Sequence, residues 1–353
     1  MNISENLLYL DDIKSIATLD LPWNLLKNKK LLISGATGMI GSFLIDVIMF
    51  KNKNNDLNCT VLAAGRNENK AKKRFEYCIN SKNFEFVNWD VNKEVGEFKH
   101  KTVDFVLHLA SNTHPIAYAT DPIGTITTNI IGTKNMLDFA SEHNTTRCLF
   151  ASSNEIYGEN RGDVEKFKED YCGYIDSNTL RAGYPESKRC SEALCQAYIR
   201  QKNLDIVIAR LTRSYGPTLL SSDTKALSQF IHKGLNKEDI VLKSEGTQYY
   251  SYTYVSDAVS GLLTILLKGE NGEAYNIADE KSDIMLKDLA KLIADYSGRS
   301  VRFELPDELE KSGYSKATKA RLDNFKIKEL GWSCKYNIKE GIYRTLDILN
   351  TAQ

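Results

Sequence analysis

The chain has 353 residues, 42% hydrophobic and 26% charged, and its 46 basic and 46 acidic side chains cancel. That length buries a real core, enough for one large α/β unit or two lobes around a cleft. The balanced charge excludes a chain-wide attraction to nucleic acid or to an anionic membrane.

Residues 1–28 form an N-terminal extension: "NLLYLDDIKSI" has apolar residues at helical spacing and "LPWNLL" leads to the first strand. The strand "KLLIS" is followed by a glycine turn and the helix "MIGSFLIDVIMF", then the strand "CTVLAA" and the charged helix "NENKAKKRFEYCI". "FEFVNWD" and "VDFVLHLA" read as strands, a helix near 125–143 leads to the strand "RCLFASS", and a helix near 182–202 leads to "DIVIARL". Short apolar runs alternating with helices predict parallel strands covered on both faces, a Rossmann-type doubly wound sheet over 29–216. Past Pro217 the regularity weakens, and 217–253 is expected to leave the sheet and cover a cleft. Residues 254–269 return as the helix "TYVSDAVSGLLTILL", and 270–353 complete a smaller α/β substrate lobe. Six prolines and no Ser/Gly tract predict lobes that are tightly joined.

The seven cysteines lack a C-x-x-C pair and read as reduced packing residues. The histidines do not cluster, His108 and His114 being nearest, so no metal is expected. No apolar run approaches the roughly 20 residues that span a bilayer, and the start lacks a signal-peptide pattern, which predicts a cytoplasmic protein.

"SGATGMIGS" places Gly35, Gly38 and Gly41 three apart between a strand and a helix. Glycines there permit a sharp turn and close backbone approach to a pyrophosphate at a helix N-terminus, which points to a dinucleotide. At the tip of the second strand, an acidic residue would bind the ribose of NAD; this chain has Arg66, whose guanidinium suits the 2′-phosphate of NADP(H). NADP(H) is therefore favoured over NAD, with Lys70 and Lys72 or Lys73 adding positive potential. "GYPESKRCSEAL" sets Tyr184 and Lys188 four apart on one helical face. A phenol normally titrates near 10, so a neighbouring ammonium would help it exchange a proton with a sugar hydroxyl.

With "GATGMIG", "VDFVLHLAS", "TNIIGTKNMLDFA", "FASSNEIYG", "YPESK", "RLTRSYGP", "SYTYVSDAV" and "KELGW" in this order, the chain from about residue 29 resembles the extended short-chain dehydrogenase/reductase family, the nucleotide-sugar epimerases, dehydratases and decarboxylases. The resemblance implies a nucleotide-sugar substrate between the lobes and a dinucleotide site that also includes Thr37, Met39, Ile40, Asn67, Asp90, Val91, Leu109, Ala110 and Ser111. It implies that Ser153 hydrogen-bonds the reacting oxygen beside Tyr184, that Lys188 holds the nicotinamide ribose, and that Glu155 matches the glutamate with which 4,6-dehydratases remove the C5 proton and which decarboxylases also tend to carry. Asn154 stands where dTDP-glucose dehydratases carry an aspartate, which puts that particular chemistry in doubt. Relatives usually have asparagine at Arg213 and many have a diphosphate-gripping arginine at Tyr250, so the positive charge has moved between walls. Arg213 is expected to bind the diphosphate from another angle, with Arg181 and Arg321 as further contacts.

The leading expectation is an NADPH-dependent reductase of a nucleotide-linked keto sugar, for example a CDP-linked ketose reduced to a hexitol in surface polysaccharide biosynthesis. The alternative is closed-cycle chemistry: UDP-glucuronate decarboxylation, 4,6-dehydration or C4 epimerisation. A dinucleotide sensor is disfavoured by an intact Tyr184, Lys188 and Ser153. Relatives commonly dimerise through the helices near 125–143 and 182–202, so a homodimer closed by a four-helix bundle is expected.

Overall fold

The structure, a computed structural model, describes residues 3–113, 115–304 and 318–352; His114 lies outside them. Asn6 accepts hydrogen bonds from the Leu8 and Tyr9 amides and so starts α1 (Leu7–Ala17). Then come β1 (Lys30–Ser34), α2 (Met39–Asn55), β2 (Thr60–Gly65), α3 (Glu68–Arg74), β3 (Phe84–Asn88), β4 (Phe105–His108) and the short α4 (Pro115–Thr120). α5 (Pro122–Glu142) opens on Asp121, whose carboxylate accepts from the Gly124 amide while Pro122 occupies the first turn. β5 (Arg147–Ser153), α6 (Gly183–Lys202), β6 (Ile206–Leu211), β7 (Arg213–Tyr215), α7 (Ala226–Leu235), β8 (Ile240–Leu242), β9 (Tyr249–Tyr254) and α8 (Val255–Lys268) follow. The chain ends through β10 (Ala274–Ile277), β11 (Asp283–Met285), α9 (Leu286–Ser297), β12 (Val301–Phe303), β13 (Lys319–Ala320), α10 (Phe325–Glu329) and α11 (Ile338–Ala352).

Seven strands make the main sheet in the order β10-β6-β5-β4-β1-β2-β3, every pair parallel. The doubly wound sheet expected from the alternation is present. Chain order reverses between β1 and β4, so the loops after these two strands open the crevice where such sheets bind ligands. Leu31, Leu32, Ile33, Val61, Leu62, Val106, Leu107 and Leu149 are buried, as strands covered on both faces require.

Three local expectations are corrected. β10, expected in the smaller lobe, is the edge strand of the main sheet, with Ala274 opposite Ile208 on β6. The charged helix after β2 ends at Arg74, because the next amides reach back three residues instead of four: Cys78 to Phe75 and Ser81 to Cys78, both at 2.9 Å. The fourth strand stops at His108, because the Leu109 and Ala110 amides turn to the Ser34 hydroxyl at 3.1 and 3.2 Å.

The N-terminal segment, outside the resemblance, is built into the fold. Its α1 packs on α2 and α8 and buries Tyr9, Ile13 and Ile16. Fully buried Asp12 accepts from the Tyr254 hydroxyl and from Arg344 Nε on α11, each at 2.6 Å. Tyr9 donates to Asp46 on α2, which Arg74 also meets. Beyond the main sheet, β9 pairs with β7, β11 and β13, and β8 pairs with β12.

Candidate active site

The loop after β1 makes a bare backbone cradle. Gly35 has φ +68°, and a Cβ there would lie 2.9 Å from the Ala110 nitrogen; at Gly41 it would lie 2.5 Å from the Gly35 oxygen. Only glycine fits either position. Gly38 heads α2 without a side-chain cap, which leaves the first-turn amides of a 17-residue helix available to an anion. Thr37, Met39 and Ile40 are half-buried at this turn. Facing it across the switch point stand Leu109, Ala110 and Ser111, all half-buried. The Ser34 hydroxyl accepts two amides and lies 2.8 Å from His108 Nδ1, so its own proton goes to that nitrogen and the imidazole carries its hydrogen on Nε2. Burial, helped by the Lys188 charge, lowers His108 to about 3 and keeps the ring neutral.

The adenosine side of the cradle is less enclosed. Arg66 follows β2 directly, is exposed, and has no hydrogen bond or ion pair among the described residues. Asn67 is committed to capping α3, its side chain accepting from the Lys70 amide at 2.8 Å. Asp90 turns back onto the Asn92 amide at 3.1 Å. Val91 is buried against Gly132 of α5. The glycine cradle, the uncapped helix and the open strand tip fit a dinucleotide.

α6 brings Tyr184 and Lys188 under the end of β5. Lys188 is 3% exposed, donates to the Ala151 carbonyl at 2.8 Å and lies 4.8 Å from the Phe150 ring centre. Burial lowers its amine to about 8. Burial pushes the Tyr184 phenol up to about 12, the Glu155 carboxylate adding to the rise, while the Ser153 and Ser111 hydroxyls beside it pull the other way. At neutral pH Tyr184 is therefore a protonated donor. Ser111 donates to Asn129 at 2.7 Å, and Asn129 donates to Ser187 at 2.9 Å, which ties the loop after β4 to α5 and α6.

Past Ser153 the chain turns through Asn154 and Glu155. Arg181 Nη2 donates to both Glu155 oxygens, at 2.8 and 2.7 Å, and its guanidinium lies 4.6 Å from the Tyr118 ring centre. Arg213 lies 3.4 Å over the ring of Tyr250, and its Nη1 is buried with no hydrogen-bond partner among the described residues. Asn154, Glu155, Arg181 and Arg213 line a cavity of about 60 Å³ together with Glu159 and Asp176. Arg321 is not brought to this group. It lies over Tyr249 at 4.7 Å and pairs with Glu165 at 3.3 Å, and Tyr249 and Tyr250 point to opposite faces of β9.

Sequence reasoning did not single out Tyr118, which stacks on Tyr184 with ring centres 4.8 Å apart, nor Ser34 and Asn129. Ser34 and Asn129 stand inside the quoted motifs, and a polar residue on an otherwise apolar strand or helix face was the available signal. Nothing local marks Tyr118.

Residues 31–278 match the profile of the NAD dependent epimerase/dehydratase family. The chain is 33% identical over 316 residues to UDP-glucuronic acid decarboxylase 3 of Arabidopsis thaliana, covering 89% of this chain and 87% of that one. Among solved structures it superposes on UDP-glucuronic acid 4-epimerase from Bacillus cereus, solved with UDP-glucuronic acid and NAD, at TM-score 0.76 and 21% identity, over 92% of this chain and all of the other. It also superposes on dTDP-glucose 4,6-dehydratase from Streptomyces venezuelae, solved with NAD, at TM-score 0.76 and 22% identity, over 91% and 97% of the two chains.

Proposed function

Since the chain belongs to the NAD dependent epimerase/dehydratase family, we propose that it runs a closed redox cycle on a nucleotide-linked hexuronic acid and removes the sugar's carboxyl group. The observation that carries this choice is the Arg181–Glu155 pair. Dehydration needs a free carboxylate to take the C5 proton and an acid for the C6 hydroxyl; here Glu155 is engaged and its neighbour is Asn154, an amide. Decarboxylation needs neither. The Tyr184 phenol, protonated by itself at neutral pH, would be shifted toward the phenolate by an oxidised nicotinamide bound beside it and so accept the C4 hydroxyl proton, while Ser153 hydrogen-bonds the same oxygen. A dinucleotide held at the Gly35–Gly41 turn and by Lys188 would supply reversible hydride acceptance at C4, so that none would be consumed over a cycle. A C4 ketone makes the substrate a β-keto acid: the C5–C6 bond breaks, CO₂ leaves, and the electron pair passes to the C4 oxygen, where Ser153 and Tyr184 stabilise it. C5 then takes a proton from solvent, and as the C4 hydride returns Tyr184 gives its proton back to the C4 oxygen. The similarity to UDP-glucuronic acid decarboxylases supports the same reading.

Incubation with UDP-glucuronate and NAD or NADP tests it. The expected result is CO₂ and a UDP-pentose with no net change in nicotinamide absorbance. A panel without CO₂ release, in which NADPH is consumed stoichiometrically with a nucleotide-linked ketose, would replace it with reduction.

That second reading rests on Arg66, whose exposed guanidinium at the β2 tip, unpaired among the described residues, favours NADP(H) and hence net reduction, although the solved neighbours carry NAD. A homodimer through α5 and α6 is supported by Ile123 and Ile131 of α5, which are 76% and 42% exposed.

A further inference from the structure

We propose that Arg213 receives the C6 carboxylate of the sugar and thereby selects a hexuronic acid over a neutral hexose, a role that rests on the decarboxylation reading. Its guanidinium is propped on Tyr250 at 3.4 Å, which covers one face and leaves the edge to do the binding. Nη1 on that edge is buried and has no partner among the described residues. A buried charged donor left unsatisfied is costly, so the position calls for an anion.

The surroundings say which anion. Of the two arginines on the cavity, Arg181 is already neutralised by Glu155, while Arg213 has no ion pair among the described residues. Glu159 and Asp176 also line the space. One unneutralised positive charge among further carboxylates matches a monoanion; a diphosphate would bring two negative charges toward the same acids.

The register places the carboxylate correctly. Ser153 on β5 pairs with Leu211 on β6, and Arg213 follows two residues later. Two residues advance the backbone by roughly 7 Å, about the width of a sugar ring from the hydroxyl that meets the reacting oxygen. Ser153 and Arg213 thus address two points of one hexuronosyl ring, the C4 oxygen and the C6 carboxylate beside it.

The test compares wild type, Arg213→Gln, Arg213→Lys and Tyr250→Leu by calorimetric affinity for UDP-glucuronate, UDP-glucose and UDP, with steady-state kinetics on UDP-glucuronate. Thermal unfolding and dinucleotide affinity check that each variant is folded. Arg213→Gln is expected to weaken UDP-glucuronate by roughly 10- to 100-fold while UDP-glucose and UDP change less than about threefold. Arg213→Lys should fall between, and Tyr250→Leu should weaken UDP-glucuronate alone. An equal loss for all three ligands would place Arg213 on the diphosphate and overturn the proposal. So would undiminished UDP-glucuronate affinity in Arg213→Gln, even with decarboxylation intact in the wild type. A wild type that binds UDP-glucose as well as UDP-glucuronate and releases no CO₂ would remove the decarboxylation reading itself.

Discussion

The rings of Tyr118 and Tyr184 stack with centres 4.8 Å apart and planes inclined by 28°, and the same Tyr118 ring carries the Arg181 guanidinium at 4.6 Å. Tyr118 therefore joins the Tyr184 phenol to the ion pair that occupies Glu155. A flat contact of this kind fixes the ring plane of Tyr184, and with it the direction in which the hydroxyl meets a sugar oxygen. Tyr118→Leu is expected to lower kcat roughly tenfold with a smaller effect on KM, and Tyr118→Phe, which keeps the stack, to stay within about twofold. Steady-state kinetics with UDP-glucuronate read this. Equal losses in both variants would assign the effect to the hydroxyl and not to the ring.

A second relationship concerns stability. Asp12 is fully buried and accepts from Tyr254 and Arg344, so it locks α1 to the start of α8 and to α11. Asp12→Ala strands a guanidinium and a phenol in the interior and is expected to cost about 3 kcal/mol. Asp12→Asn, which still accepts at one oxygen, should cost about half as much. Urea midpoints at constant slope measure both. Dinucleotide affinity should be unchanged, which separates a fold role for the N-terminal helix from a site role.

What the residue pattern revealed was whatever is settled within one element. The "KLLIS" and "RCLFASS" strands are found where the apolar runs and their flanks put them, and the Gly35 turn does adopt the left-handed conformation that glycine permits. What stayed hidden depends on which elements meet. β10 is four residues long, and its place beside β6 is decided by the sheet edge it covers, not by its own sequence. Glu155 and Arg181 lie 26 positions apart, and their pairing exists only because the β5 turn and the start of α6 converge. Arg321 illustrates parity: β13 carries it beside β9, but on the Tyr249 face, where Glu165 meets it. The Asp121–Pro122 start of α5 was readable as a cap followed by a first-turn proline, and it explains why that helix begins earlier than its apolar periodicity.

The proposal that Arg66 reads the 2′-phosphate of NADP can be tested without any substrate. Arg66 is exposed directly after the strand that carries the adenosine-side loop, and no carboxylate of Glu68 is free to replace it, because Glu68 pairs with Lys72 at 2.7 Å. Arg66→Ala is expected to weaken NADP by about tenfold and leave NAD within about twofold; Arg66→Asp should reverse the preference. Fluorescence titration with each dinucleotide checks this without any substrate. Equal weakening of NAD and NADP would show that the guanidinium packs on the adenine and does not read the 2′-phosphate.

Lys188 gives a pH-dependent expectation with a definite sign. Burial lowers its amine to about 8 from the ordinary 10.5. Below about 8 both folded and unfolded chains hold the proton, and the cost of the buried ammonium is constant. Between about 8 and 10.5 the unfolded chain binds more protons than the folded one, so stability contributed by this group rises with pH across that window. Lys188→Met removes the buried charge and loses the hydrogen bond to Ala151. The variant is therefore expected to be more stable than the wild type at neutral pH, by on the order of 2 kcal/mol, with the difference closing as the pH approaches 10.5. On the proposed reading, in which Lys188 holds the nicotinamide ribose beside Tyr184, its turnover should be lost. Urea unfolding of both proteins at several pH values across the window reads the difference directly. A gap that widens as pH rises would mean that the folded protein favours the ammonium, and that the Ala151 carbonyl outweighs the burial around it.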